Sequence, residues 1–121
     1  WSLVLVLFVA LVFVAARAEA GVLGTITADE GTVSLTPNGA AKGTVTVTGT
    51  WVATLQFEAT LDGTPVWFAI NVTPVAGGAA VSSTTAVGNW SIAVAAAAYR
   101  VRASAWTSGT ATVQIYSTLN P

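Results

Sequence analysis

The sequence predicts a mainly β protein: an antiparallel β-sandwich of jelly-roll or immunoglobulin-like type, preceded by one apolar N-terminal α-helix. After residue 20, apolar and polar side chains alternate in short runs, which is the period of strands that bury one face. Turn-forming residues, mainly Gly, Asn and Asp, separate these runs. Residues 1–16 carry no charge and, apart from Ser2, are apolar on every side, as in a helix that is buried all round.

Residues 1–20 are predicted to be a helix that assembles or anchors the protein. Small residues before Gly21 also fit the cleavage site of a signal peptide. The segment approaches the length of a membrane anchor, which would hold the chain in a membrane before assembly. It could instead pack against its copies, as a helix or as a donated strand. The candidate assembly residues are its large apolar side chains: Leu3, Val4, Leu5, Val6, Leu7, Phe8, Leu11, Val12, Phe13 and Val14.

The plan of an apolar N-terminal segment followed by a β-domain resembles type IV pilin-like filament subunits. The archaeal subunits are more similar than the bacterial ones, because Leu5 stands where bacterial pilins usually carry Glu. This resemblance implies a homopolymer outside the cell, with the apolar segment in the filament core and the β-domain on its exterior.

Residues 21–121 are predicted to be the β-domain, with residues 21–24 as a hinge and seven to nine short strands. The alternating runs are residues 44–48, 51–61, 66–72, 90–94, 99–105 and 111–115, and in most of them the odd-numbered side chains form the apolar face. Turns are predicted at residues 37–39, 62–63 and 77–78, and the Ser108-Gly109 pair is predicted to link the last two strands.

Charged residues make up 7% of the chain, against roughly 25% in soluble proteins, and the net charge is −1. Four cations in all give no basic patch for nucleic acid. The chain has no Cys and no His, so neither a thiolate site nor a nucleophile–base pair is expected. We therefore expect no enzyme, no catalytic residue, no cofactor and no metal site.

Residues 49–118 resemble a small β-sandwich domain of tailed-phage structural proteins. The matching motifs are Gly49-Thr50-Trp51, Phe57-Glu58, Asp62-Gly63-Thr64, Trp67, Gly88-Asn89-Trp90, Val101-Arg102, Ala105 and Ser108-Gly109-Thr110-Ala111. The resemblance implies a non-catalytic role in a virion or its assembly, and it transfers no functional site.

The few charges of the β-domain are predicted to be structural. Glu58 is expected to be a solvated strand residue and Asp62 a turn residue. Arg100 and Arg102 share a sheet face, and Arg102 is placed to pair with Glu58 across strands. An anion or glycan contact by the two arginines is the alternative.

Two tryptophans and two asparagines complete the candidate sites. Trp67 and Trp106 fall on the outward phase of their strands and are interface candidates, because Trp is enriched in protein interfaces. Asn71 and Asn89 each begin an N-glycosylation tripeptide.

Three functions follow from these observations. The first is a structural subunit of an extracellular or cell-surface filament. The second is a virion structural protein, in a capsid or tail decoration or in a fibre. The third is a secreted carbohydrate-binding sandwich with a signal peptide, which requires Trp67 and Trp106 to be exposed on one concave face.

Overall fold

A computed structural model describes residues 19–37, 41–62, 64 and 66–119. These residues form one open antiparallel sheet of eight strands, which confirms the predicted antiparallel, mainly β fold. All the described strands belong to this one sheet rather than to two separate sheets. The strands are β1 (Glu19–Ile26), β2 (Thr32–Leu35), β3 (Ala41–Thr60), β4 (Phe68–Ala69), β5 (Thr73–Pro74), β6 (Ser83–Thr84), β7 (Gly88–Ile92) and β8 (Ala98–Leu119).

The sheet is built around two long strands, β3 and β8, which pair along their whole length. The prediction of a turn at Ser108-Gly109 is wrong, because β8 continues through both residues. Gly109 has a φ of 95° and lies opposite Trp51, whereas Gly49 on the partner strand has a φ of 99°. Glycine adopts these angles without steric cost, so both strands bend here without ending.

The bend divides the sheet into two ends that enclose one core. At the β1 end, β1 and β7 flank the paired residues 41–48 of β3 and 111–119 of β8. At the β2 end, β2, β4 and β6 flank residues 53–60 and 98–106. Phe57 from the β2 end packs on Trp90 from the β1 end, with ring centroids 5.0 Å apart. The inner faces of the two ends therefore lie against each other, and their buried side chains form one cluster.

Two bulges in β8 alter the predicted alternation of its side chains. Ser104 and Thr107 have no register partner on β3. Because each bulge adds one residue, the odd-numbered side chains no longer point into the core after Ala103, and they do so again at Ala111. Ala105 is consequently exposed, although the alternation predicts it inside. Trp106 is half-buried and packs against the core, so its predicted outward phase is wrong.

The apolar alternation also continues beyond the end of the sheet. Leu55, Phe57 and Ala59 are buried as predicted, but Leu61, one residue past β3, is exposed. Val66 and Phe68 were expected in the core and are more than half exposed. The β4 strand has only two residues, and they pair only with the last part of β3, so nothing described covers these side chains.

The N-terminal part of the β-domain is a strand rather than a hinge. Residues 21–24 belong to β1 and pair with β8, because their backbone groups complete the sheet ladder. Since β1 begins at Glu19, the last two residues of the predicted N-terminal segment also belong to the sheet. The predicted helix otherwise falls on residues 1–18, outside the described residues. Within the described part of the chain, no helix has the length and apolar character needed to cross a membrane.

Candidate functional site

The β2 end carries a cluster of charged side chains on its outer face. In the register of β3 and β8, Glu58 lies opposite Arg100, and Gln56 lies opposite Arg102. Alternation therefore brings all four side chains to one face. Arg100 Nε donates to Glu58 Oε1 at 2.6 Å, and Arg102 Nε donates to Glu58 Oε2 at 3.2 Å. The predicted pairing of Glu58 with Arg102 is present, and Arg100 is a second partner.

A fifth residue joins these four from the loop between β1 and β2. Arg102 Nη1 donates to Glu30 Oε2 at 2.9 Å and to Oε1 at 3.1 Å. Glu30 has a φ of 63°, an unusual conformation for a residue with a side chain. Its backbone N–H donates to the carbonyl oxygen of Ala103 at 2.9 Å, so the loop is held at both its backbone and its side chain. We call Glu30, Gln56, Glu58, Arg100 and Arg102 the Glu58 cluster.

Burial distinguishes this cluster from a surface ion pair. Glu58 is only 4% exposed, so the prediction that it is solvated is wrong. The ring of Trp67 lies 4.3 Å from the guanidinium carbon of Arg100 and shields that side of the cluster. Gln56 Nε2 also donates to Glu58 Oε2, at 2.8 Å. A buried carboxylate needs such partners, because leaving its charge unpaired would be very costly.

The electrostatics of the cluster favour a structural role. The hydrogen bond to Glu30 is the main cause of a raised pKa of Arg102, which therefore stays charged in the folded protein. Two carboxylates and two guanidinium groups compensate one another, and Glu58 already accepts three donors. The carboxylate of Glu58 is thus already occupied by protein donors, and the cluster offers little net charge to an anion.

Asp62 is the remaining charged residue that the sequence singles out in the β-domain. Asp62 is a turn residue, as predicted: Oδ1 accepts the backbone N–H of Thr64 at 3.1 Å and its hydroxyl at 2.7 Å. These hydrogen bonds lower the pKa of Asp62, and the hydroxyl of Thr64 has the largest effect. Among the described residues, no group of three His, Cys, Asp or Glu side chains could hold a metal ion.

The two interface candidates are both half-buried, and they lie in different settings. Trp67 packs on Arg100, and Trp106 packs against the core. The structure does not give them the shared, exposed platform that the carbohydrate-binding hypothesis requires. Asn71 is exposed beside the Val72–Val81 bridge, and Asn89 is exposed on β7, where it accepts a hydrogen bond from Thr46. Their glycosylation stays a prediction.

A shallow cleft lies beside the bend, at the point where β8 bulges. Its volume is about 340 Å³, and it is lined by Trp51, Val52, Ala53, Thr54, Thr85, Ala105 and Thr107. The indole nitrogen of Trp51 is buried and has no hydrogen-bond partner among the described residues. No charged side chain lines the cleft, and its lining side chains are threonines, small aliphatic residues and one tryptophan.

The outer surface carries large apolar side chains that the core does not use. Seven of them are 52–69% exposed: Leu23, Val52, Leu61, Val66, Phe68, Val75 and Val87. Leu61, Val66 and Phe68 lie close together along the chain, around the turn between β3 and β4. The outer face of the β1 end is mainly uncharged and polar, with Thr44, Thr46, Thr48, Thr112 and Gln114 in adjacent rows. This outer surface therefore combines exposed apolar side chains with few unpaired charges among the described residues.

Comparison with known proteins identifies a similar fold but no family. No protein family and no curated protein matches the sequence. The SPBc2 prophage-derived protein YomS is similar in structure, with a TM-score of 0.54 and 15% identity over 80% of this chain and 94% of that one. PliG of Aeromonas hydrophila, a periplasmic inhibitor of g-type lysozyme, gives a TM-score of 0.42 and 14% identity over 88% of this chain and 90% of that one.

The similarity to YomS defines a class of fold and nothing finer. The chain is a small antiparallel β-domain with a fold like that of a prophage protein, which agrees in part with the resemblance to tailed-phage domains. The resemblance to pilins receives no support from these comparisons.

Proposed function

We propose that this chain is a non-enzymatic structural subunit of a phage-related particle, and that it works by associating with other protein surfaces. One observation carries the proposal: seven large apolar side chains are more than half exposed on a domain whose main charged groups are paired with one another. Free monomers normally carry dispersed charge and few apolar patches, because both features prevent association. This surface suits a protein that is covered by its neighbours.

The setting in a phage-related particle is supported by the fold. YomS is described as a prophage-derived protein, and its fold covers most of this chain. The motifs between residues 49 and 118 that resemble tailed-phage domains favour the same setting. A virion or other extracellular location follows from this proposal.

The proposal is tested on particles from the source culture. Particles are purified on a density gradient, and their proteins are quantified by mass spectrometry. We expect the chain to sediment with the particles at a fixed ratio to their major protein. A soluble cell protein of similar size serves as the control and should stay at the top of the gradient. Absence of the chain from particles, together with a monomeric purified protein at every concentration, would contradict the proposal.

An extracellular filament is the second candidate, and only the uncharged run of residues 1–16 favours it. In that setting the run packs against its copies, because burial of apolar area would drive assembly. Electron microscopy of the full chain and of a variant lacking residues 1–16 separates the two candidates. Filaments that vanish with the deletion support this candidate, whereas filaments that persist, or that never form, exclude it.

A further inference from the structure

The two edges of the sheet are protected to different degrees. On the side of β3, the flanking strands β4, β5 and β6 have only two residues each, and β5 contains Pro74. Short strands and proline are the usual means by which proteins stop an edge from pairing with another chain. On the far side of β8, β2 has four residues, and Pro37 follows it closely. These edges are therefore poor templates for a further strand.

The remaining edge, β1, lacks every one of these protections. It is the last strand in the sheet order, and its eight residues pair with β8 in an unbroken register. It contains no proline, and its only charge is on Glu19 at its first residue. Alternate backbone N–H and C=O groups of an edge strand point away from the sheet and are free to pair. Among the described strands, β1 is thus the one long, uninterrupted edge.

The exposed side chain in the middle of this edge is apolar. Leu23 is 69% exposed, the most exposed of the seven large apolar side chains. Its register partner on β8 is Gln114, an uncharged residue, so no neighbouring charge in the ladder opposes an apolar contact. A partner that covers Leu23 removes its apolar surface from water, and this burial favours association.

We propose that β1 pairs antiparallel with β1 of a second copy of this chain, about a two-fold axis at Leu23. The pairing deepens the proposed function and rests on it, because it specifies one surface through which the subunit associates. A two-fold interface brings the same residues together from both sides, so its strand must be self-complementary. Homodimers of this symmetry are the commonest oligomers, which favours a second copy over an unrelated partner.

The sequence of β1 meets this requirement position by position. With Leu23 opposite Leu23 of the second copy, Val22 faces Gly24, Gly21 faces Thr25, and Ala20 faces Ile26. Glu19 faces Thr27, so no like charges meet across the interface. Each pair joins two odd-numbered or two even-numbered residues. Side chains that face inward in one copy therefore lie beside inward-facing side chains of the other, and the two sheets continue as one.

A cysteine cross-link tests the geometry in the full chain, which has no Cys of its own. In an antiparallel pair, opposite Cα atoms lie about 4.5–5.5 Å apart, within the range that a disulfide spans. Leu23→Cys should therefore form a covalent dimer under mild oxidation. Val87→Cys is the matched control, because Val87 is also exposed and lies outside β1. The pairing predicts at least about tenfold more dimer from Leu23→Cys; equal yields would overturn it.

Complementary charges provide the second test. Leu23→Lys and Leu23→Glu should each weaken dimer formation at least about tenfold in analytical ultracentrifugation, because like charges meet at the axis. Mixing the two variants should restore dimers. If mixing restores nothing, the pairing about Leu23 is wrong. If the chain is found in particles but the cross-link and the mixing both fail, the proposed function holds and this interface is wrong. If the chain is also absent from the particles, both proposals are wrong.

Discussion

At the scale of single residues, Glu58 shows how one buried charge organises the β2 end. Its carboxylate connects β3 to β8 through Arg100 and Arg102, and Arg102 in turn holds Glu30 in the loop that leads to β2. Glu58 is buried, whereas both arginines keep about a fifth of their side chains exposed. Burying these charges offsets much of their attraction, but the loss of one partner would leave the others without a counter-ion.

Removing the charge of Glu58 should therefore destabilise the fold. Glu58→Gln leaves two guanidinium groups without their buried counter-ion, and we expect a loss of about 2–4 kcal/mol in the free energy of unfolding. Urea unfolding measures this loss. Glu30→Gln is the matched control, since Glu30 is exposed and its pair should contribute less than about 1 kcal/mol. Equal effects of the two substitutions would show that burial of Glu58 has no energetic role.

The buried phenol of Tyr99 makes stability depend on alkaline pH. Tyr99 is 1% exposed, and its hydroxyl donates to the carbonyl oxygen of Val94. Burial raises the pKa of Tyr99 above its usual value of 10.0. The folded state thus keeps this proton at a pH where the unfolded state loses it. By linkage, the contribution is complete below pH 10 and is lost as the pH rises through the raised pKa.

We therefore expect the free energy of unfolding to fall as the pH rises above about 10. The near-ultraviolet absorbance of tyrosinate should show Tyr99 ionising together with unfolding rather than before it. Tyr99→Phe removes the ionisable group, so its stability should depend less steeply on pH in the same range, although it loses about 1 kcal/mol with the hydrogen bond. An unchanged slope in Tyr99→Phe would assign the pH dependence to another group.

At the scale of elements, the bend shared by β3 and β8 determines how the sheet encloses its core. A Cβ atom at Gly109 would lie 2.2 Å from the carbonyl oxygen of Thr50 and 2.6 Å from Cα of Trp51. A Cβ atom at Gly49 would lie 2.4 Å from the carbonyl oxygen of Thr110. The backbones of the two strands therefore approach each other at the bend more closely than any side chain would allow.

Gly109→Ala should consequently be among the most destabilising single substitutions in this domain. We expect a loss on the order of 3–5 kcal/mol, from both the positive φ and the backbone clash. Gly77→Ala is the matched control, because Gly77 has a φ of 103° with nothing within 4 Å of the added Cβ. The Gly77→Ala variant should lose only about 1–2 kcal/mol of unfolding free energy, which is the cost of the positive φ alone. Thermal unfolding of both variants checks this, and similar losses would contradict the predicted clash.

At the scale of the whole molecule, β1 completes one side of the described sheet. Deleting residues 1–18 keeps all the described strands in the chain and is the control for a longer deletion that also removes β1. Deleting residues 1–26 removes Ile26, which is 1% exposed, together with the ladder along β8. Relative to the control, the free energy of unfolding should therefore fall by more than about 3 kcal/mol. Circular dichroism and limited proteolysis compare the two deletions, and an equally stable fold without β1 would contradict this role of β1.

The antiparallel fold was predictable because alternation is a local property of each strand. Residues 44–48 and 51–61 were predicted as separate runs, although the buried apolar residues keep the same parity from Val45 to Ala59, which was the signal that they form the single strand β3. The shift at Trp106 had no such signal, because a bulge depends on how two strands pair. The burial of Glu58 was missed for a similar reason: an outward position becomes buried only when a neighbour such as Trp67 covers it.

The amino-acid sequence by itself determined the strand period, the turn at Asp62 and the absence of Cys and His from the chain. Only the tertiary structure decided that Leu61 and Phe68 lie outside the core, that Glu58 lies between two arginines, and that β1 is an unprotected edge. The physical reason is range. Strand period and turn chemistry act between neighbours in the chain, whereas burial and edge position depend on contacts between residues far apart in it.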